Sequence, residues 1–584
     1  PEGSRAQHGD DHMKLKTALL GAAATMALAP MVLAEAHEGE RGRDGEVRIL
    51  YWQAPSILNP YLSGGTKDIE AASMIVEPLA RFDPTGAIVP WLVDEIPTVE
   101  NGGVSEDLTQ ITWTLSEGIL WSDGTPFTSA DVAFTYEYCT HPEGGCAQAT
   151  KYENIASVET PDDLTVVVTF NAPTPNPYVA FVGGEAPIIQ AAQFADCIGA
   201  AASTCSEENF NPIGTGPFTV TEFRPNDVIT MAANENYREP GKPAFATVTF
   251  KGGGDAAAAG RAVMETGEFD YAWNLQLAPE VIAQMQAGGQ GVPIAGFGPL
   301  VERIMLNHTN PDPALGPDER AVIGPHPFLN DPAVYNALSM AIDRPLLVEI
   351  GYGQAGRVTC NWVPAPEAFN SDTFDCSTQD LEGAAAMLEE AGYVDTDGDG
   401  IRETPDGVPM TVLYQTSTNA VRQDFQALIK QWWEEIGIGV ELRNIDASVF
   451  FGGDAGSPDT FQKFYADVEM YANTFNGTDP QAYLGNLLCD KIPSPATQWQ
   501  GENVSRFCDP AYDQLWQELA QTANIEERAR IGRMLNDMAI EGGAMIPLVH
   551  RGRISAHSTT LGGVDLNVWD SEIWNTADWY RIDE

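Results

Sequence analysis

The sequence predicts an α/β protein of two or three domains, on three observations. Its 584 residues exceed what one hydrophobic core ordinarily supports. Segments with apolar residues at every second position alternate with segments that carry them three and four residues apart, the marks of strands and helices. Helical runs stop at glycines before a new strand begins, as the layers of an α/β fold require. Hydrophobic residues form 43% of the chain, enough for a sizeable core.

Along the chain, residues 1–12 read as a non-native upstream segment and are set aside. From Met13, "MKLKTALLGAAATMALAPMVLAEA" has Lys14 and Lys16, an apolar stretch and small residues around Ala34 and Ala36. This is the pattern of a secretory signal over 13–34, and it predicts a periplasmic protein. No later stretch has the run of about 18 apolar residues that a membrane helix needs. "EVRILYW" then places Val47, Ile49 and Tyr51 on one strand face; "ITWTL" and "LTVVVTF" do the same with Ile111, Trp113 and Leu115, and with Val166, Val168 and Phe170. Between them "FTSADVAFTYEYC" starts a helix, with Thr128 as N-cap and Asp131 set to meet free backbone N–H groups. "RQDFQALIKQWWEEIGIG" spaces Phe425, Leu428, Ile429, Trp432 and Ile436 as one helix face, ends on Gly437 and Gly439, and leads into the strand "VELRNI". Loops 252–255 and 308–327, rich in Gly and Pro, are candidate crossings between domains.

Lys and Arg total 31 against 83 Asp and Glu, a formal charge of −52. Such a chain repels nucleic acid and anionic lipid alike. Eight cysteines fall into close neighbours: Cys139 with Cys146, Cys197 with Cys205, Cys360 with Cys376, and Cys489 with Cys508. In an exported protein this favours four local disulfides over buried thiols, although eight cysteines formally allow about 105 connectivities.

Motifs of catalysis are missing from the chain. "GYGQAG" (351–356) follows a helix-like run where a dinucleotide fold needs a strand, and it reads as a helix-ending turn. His550, in "MIPLVHR", reads as a packed core residue. "DTDGDGIRETPD" (395–406) is more specific: Asp395, Asp397 and Asp399 stand where a calcium loop has its first ligands, with Ile401, Glu403 and Asp406 at the later positions. Asp406 replaces the usual bidentate Glu, and a strand follows where a second helix should. An Asp/Gly turn is the competing reading. No cofactor is required, and calcium is the one candidate ion.

"ITWTLSEGILWSDGTPFTSADVAFTYEY", "GTGPFTVTEFRPNDVITMAANENYREPGKP", "HPFLNDPAVYNALSMAIDRPLLV", "AAAMLEEAGY" and "GAMIPLVHR" resemble, in this order, segments of the family 5 extracellular solute-binding proteins of peptide-type ABC importers. The resemblance implies a periplasmic-binding-protein architecture: two α/β lobes joined by a hinge, with an additional α/β domain in the first. The expected boundaries are 45–80 with 211–307 and 546–584 for lobe I, 81–210 for the additional domain, and 308–545 for lobe II. It also implies a monomer that delivers a peptide or peptide-like solute to a membrane permease.

In dipeptide binders of the family an Asp three residues before a D-P pair grips the ligand ammonium. Aligned on Asp479-Pro480, that position is Asn476, and no carboxylate-gripping Arg is evident in "YQTSTNAVR", where Arg422 falls on the following helix. A non-peptide polar solute is therefore the alternative ligand. Candidate ligand contacts are Ser63, Gly64, Gly65, Thr66, Trp273, Asn274, Asn473 and Asn476: glycines for close backbone approach, Trp273 as a flat wall or a packed core residue, and asparagines as donors and acceptors. A secreted hydrolase with a hidden pair of acids and a calcium-stabilised structural protein are the competing classes.

Overall fold

The computed structural model describes residues 39–582. The expected export signal (13–34) and upstream segment lie outside the described residues. Two large mixed sheets form the frame. In the first, seven strands run in the order Gly291–Gly296, Arg553–Ser558, Tyr271–Ala272, Glu46–Tyr51, Thr247–Gly252, Val228–Ala233 and Phe218–Arg224. Glu46–Tyr51 is parallel to both of its neighbours. Its alternation is met as expected: Val47, Ile49 and Tyr51 are buried against Phe250, Tyr271 and Trp273.

The second sheet has six strands, in the order Gly356–Val358, Met545–Arg551, Val301–Leu306, Val468–Asn473, Thr411–Ser417 and Gly439–Ile445. The helix Ala420–Glu435 crosses between the parallel strands Thr411–Ser417 and Gly439–Ile445. Asn419 caps it by accepting the Arg422 N–H at 2.9 Å, and Phe425, Ile429, Trp432 and Ile436 are buried in the core. Leu428, expected on the same face, is only partly buried. The helix Arg344–Gly351 ends in a turn at Gly353, whose φ of +52° suits glycine, so "GYGQAG" is a helix stop.

A separate antiparallel sheet of Gln110–Thr114, Thr165–Phe170 and Ile155–Asp162 has its own core, with Trp113, Val166 and Val168 packed beside the helix Ser129–Thr140. Thr128 and Asp131 close a capping box at that helix's start. The structure joins Cys139–Cys146, Cys197–Cys205, Cys360–Cys376 and Cys489–Cys508 as disulfides.

The chain passes between the two large sheets at 297–300 and at Gly552. Both crossings differ from the expected boundaries. Val301–Leu306 and residues 546–551, assigned above to lobe I, pair inside the second sheet. Periodicity reveals a strand, whereas its sheet depends on partners more than 200 residues away. At Gly552 the chain leaves one sheet and enters the other within one residue, and a Cβ there would lie 3.2 Å from the Gly296 carbonyl.

Candidate functional site

A cavity holding about 640 Å³ of empty space, open solvent included, lies between the lobes. Lobe I brings Gly64, Gly65, Thr66, Trp273 and Asn274 to it, and lobe II brings Asn473, Phe451, Phe461 and Tyr471. Six of the eight expected contact residues therefore meet at one place.

The loop 63–65 sits between the short helical turn Pro60–Leu62 and the helix Thr66–Ala72. Ser63 is buried beneath it and does not line the cavity: its hydroxyl accepts the Gly65 N–H at 3.0 Å and donates to Asp68 at 2.7 Å. Asp68 in turn pairs with buried Lys67 at 2.8 Å. Gly65 approaches the other lobe so closely that a Cβ would stand 3.0 Å from the Phe451 carbonyl oxygen. Trp273 is stacked on Tyr51 at 4.6 Å with rings 4° apart and also lines the cavity. Asn274 is held at a φ of +54°, where its amide oxygen accepts a hydrogen bond from the Arg551 guanidinium.

Asn476 is the second residue that does not line the cavity. The strand Val468–Asn473 delivers Asn473 to the cavity edge, but the chain then turns away, and the Gly477 N–H donates to the Trp569 carbonyl at 2.7 Å. Asn476 lines a separate cavity with Phe82, Lys151 and Tyr178, and its Nδ2 is buried without a partner. Asp479 of the D-P pair is held by Arg528 at 2.7 Å.

Charge is concentrated at the main cavity in residues far apart in the chain. Glu302, fully buried, accepts from the Arg422 Nε at 2.7 Å and from the Tyr352 hydroxyl at 3.0 Å, with Arg551 at 3.6 Å. Burial pushes its carboxyl up, but Arg422 and Arg551 outweigh burial and hold it below the ordinary range. On the opposite wall burial, reinforced by repulsion from Glu572, pushes Glu70 up to about 8. Burial raises Glu572 as well. Arg553 donates to Glu70 at 3.0 Å, Tyr51 donates to Glu70 at 2.8 Å, and Ser555 donates to Glu572 at 2.6 Å. Two carboxyls thus share one guanidinium and retain a proton near neutral pH.

Glu70, Glu302, Arg551, Arg553 and Glu572 were not singled out by sequence reasoning, and Arg422 only as a residue on a helix. One signal was present: Arg551 and Arg553 flank a glycine in the apolar run "PLVHRGRISA", and both are buried, which charged residues seldom are without a partner or a role. His550 is buried as expected and meets the Gly298 carbonyl at 2.8 Å.

In the Asp-rich loop the carboxylates of Asp395, Asp397, Asp399 and Glu403 come within 4.8 Å of one another. Asp406 is not among them; it lies in the turn closed by the Gly407 N–H to the Thr404 carbonyl. Backbone N–H groups of Gly398 and Gly400 hold the exposed Asp395 below the ordinary carboxylate range. These are oxygen ligands of the kind calcium takes, tied meanwhile by the loop's own donors. None of them lines the main cavity.

The profile of the bacterial extracellular solute-binding proteins, family 5, matches residues 87–493. The chain belongs to this family. The "Glutathione-binding protein GsiB" of Shigella boydii serotype 4 is 24% identical to this family 5 chain over 509 residues, covering 87% of it and 89% of the relative. Among solved structures, the oligopeptide-binding protein AppA from Bacillus subtilis, in complex with a nonapeptide, superposes with a TM-score of 0.80 at 20% identity, over 93% of this chain and 100% of AppA. NikZ from Campylobacter jejuni, in complex with Ni(L-His), gives 0.76 at 21% identity, over 92% and 100%. The two-lobed α/β fold of this family 5 member is thus shared with proteins whose ligands differ widely.

Proposed function

We propose that this protein captures a peptide or peptide-like solute outside the cytoplasmic membrane and hands it, as a monomer, to the permease of an ABC importer. The observation that carries this reading is the cavity between the lobes, walled by Trp273 and Asn274 on one side and by Phe461, Tyr471 and Asn473 on the other. A solute that touches both walls favours the closed arrangement over the open one, and a permease reads that bias. Family membership supports the same reading. Turnover is no part of this reading, in which the buried acids Glu70 and Glu572 line the cavity beside Arg553.

A non-peptide polar solute is the second reading. It is favoured by the placement of Asn476 outside the cavity. Native mass spectrometry of the protein freshly isolated from the exported fraction decides between them. A peptide released in 1:1 ratio supports the first reading and another small molecule the second. An unliganded mass, together with no binding from a peptide library, removes the peptide reading.

A further inference from the structure

A second cavity of about 520 Å³ adjoins the first, sharing Gly64, Phe461, Tyr471 and Asn473 with it. On its wall stands Arg303, 3% exposed. The other arginines of the site are paired with carboxylates: Arg422 and Arg551 with Glu302, Arg553 with Glu70. Among the described residues no carboxylate lies within 4.0 Å of the Arg303 guanidinium. Its Nε points at the Met305 sulfur, its face lies over the Tyr471 ring at 4.8 Å, and its Nη1 is buried with no acceptor.

Trp362, 1% exposed, lines the same cavity, and its Nε1–H has only the Tyr483 hydroxyl beside it, outside good hydrogen-bond geometry. Buried donors are nearly always satisfied, and here two of them, one charged, border the same space. The strand register explains how Arg303 gets there. Val301–Leu306 pairs with Val468–Asn473 in unbroken register, so its successive side chains alternate in face, Glu302 toward the Arg422 network and Arg303 toward this cavity.

We propose that Arg303 and Trp362 form a carboxylate-accepting arm of the binding site, so that the protein selects solutes ending in a free carboxylate over their amides. The inference rests on the solute-binding reading above and specifies its ligand class. A guanidinium fork and an indole N–H are both donors only, and a carboxylate oxygen accepts from both. Tyr471 and Phe461, common to the two cavities, form the wall along which a solute reaches from the Glu70 side to Arg303. Glu502, the carboxylate on this cavity's lining, is pushed up to about 7 by burial and lies beside Lys491, which offsets its charge.

Two measurements on the full chain test this. The first titrates acetate and acetamide while following the Trp362 indole N–H resonance in 15N-tryptophan-labelled protein, assigned with Trp362→Phe. Acetate should move it, acetamide should not, and Arg303→Gln should abolish the response. The second compares trialanine with trialanine amide by calorimetry: the free acid should bind about tenfold tighter or better, a preference lost in Arg303→Gln. The comparison of acid with amide in the unaltered protein stands even if that variant fails to fold. An acetate response without peptide binding keeps the arm and removes the peptide reading. Equal affinity for acid and amide with a silent Trp362 overturns the arm and leaves peptide binding intact. Silence in both experiments overturns both.

Discussion

Glu70 illustrates how burial changes what a residue can do. In the unfolded chain its carboxyl titrates near 4.5, whereas in the fold burial and Glu572 move it to about 8. Between those values the folded chain keeps a proton that the unfolded chain has released. The raised folded value therefore contributes stability fully present below 4.5 and lost as pH rises toward 8. Glu70→Gln removes that proton exchange and leaves Glu572 opposite Arg553 without a like-charged neighbour. The variant should lose less stability than the parent between pH 4.5 and 8, as urea unfolding at a series of pH values will read. Parallel profiles for the two proteins would refute the shifted carboxyl. Neither the pairing of Glu70 with Glu572 nor the triad of Glu302, Arg422 and Arg551 was legible in the sequence, because each joins residues from separate elements. Local signals were readable: Thr128 and Asp131 close their capping box, and the four neighbouring cysteine pairs are the ones joined.

At the scale of elements, the turn before the helix Thr66–Ala72 is where the first lobe meets the second. Gly65 has an ordinary extended φ of −82°, so its lack of a side chain answers a contact and not backbone strain. A methyl group there would press on the Phe451 carbonyl oxygen at 3.0 Å, and backbone cannot step aside as a side chain can. Gly65→Ala should therefore oppose lobe closure, at about the 1–3 kcal/mol typical of overpacking. Affinity for the solute eluted from the parent protein should fall about tenfold or more, with the thermal midpoint of the unliganded protein nearly unchanged. An unaltered Kd would show that the loop yields. Elements themselves were readable where periodicity is strong, as in Glu46–Tyr51 and Ala420–Glu435. Leu428 departs from the pattern because a helix face wider than its contact leaves its margin partly exposed.

At the scale of the molecule, two thin crossings at 297–300 and Gly552 join lobes that touch at several other points. Asn419 of lobe II donates to Gln276 of lobe I at 3.0 Å, and Ser203 of the additional domain donates to Gln498 of lobe II at 2.8 Å. Lys491 of lobe II pairs with Glu153 of the additional domain. These three contacts are polar, as suits surfaces that separate and rejoin. Solution X-ray scattering should give a larger radius of gyration for protein stripped of solute by denaturation and refolding than for the same sample with solute restored. Superimposable curves would rule out hinge closure as the response to ligand.

The sequence by itself determined the alternation of strands and helices, the local cysteine pairs and the membership of the family, all of which lie in runs of neighbouring residues. Tertiary structure alone decided which sheet takes Val301–Leu306 and Met545–Arg551, that Asn476 turns away from the main cavity, and that Glu70, Arg422, Arg551, Arg553 and Glu572 gather around it. The reason is physical. Periodicity and spacing act over a few residues, but strand register and buried charge are settled by partners hundreds of residues away, where a single shift in pairing redirects each side chain.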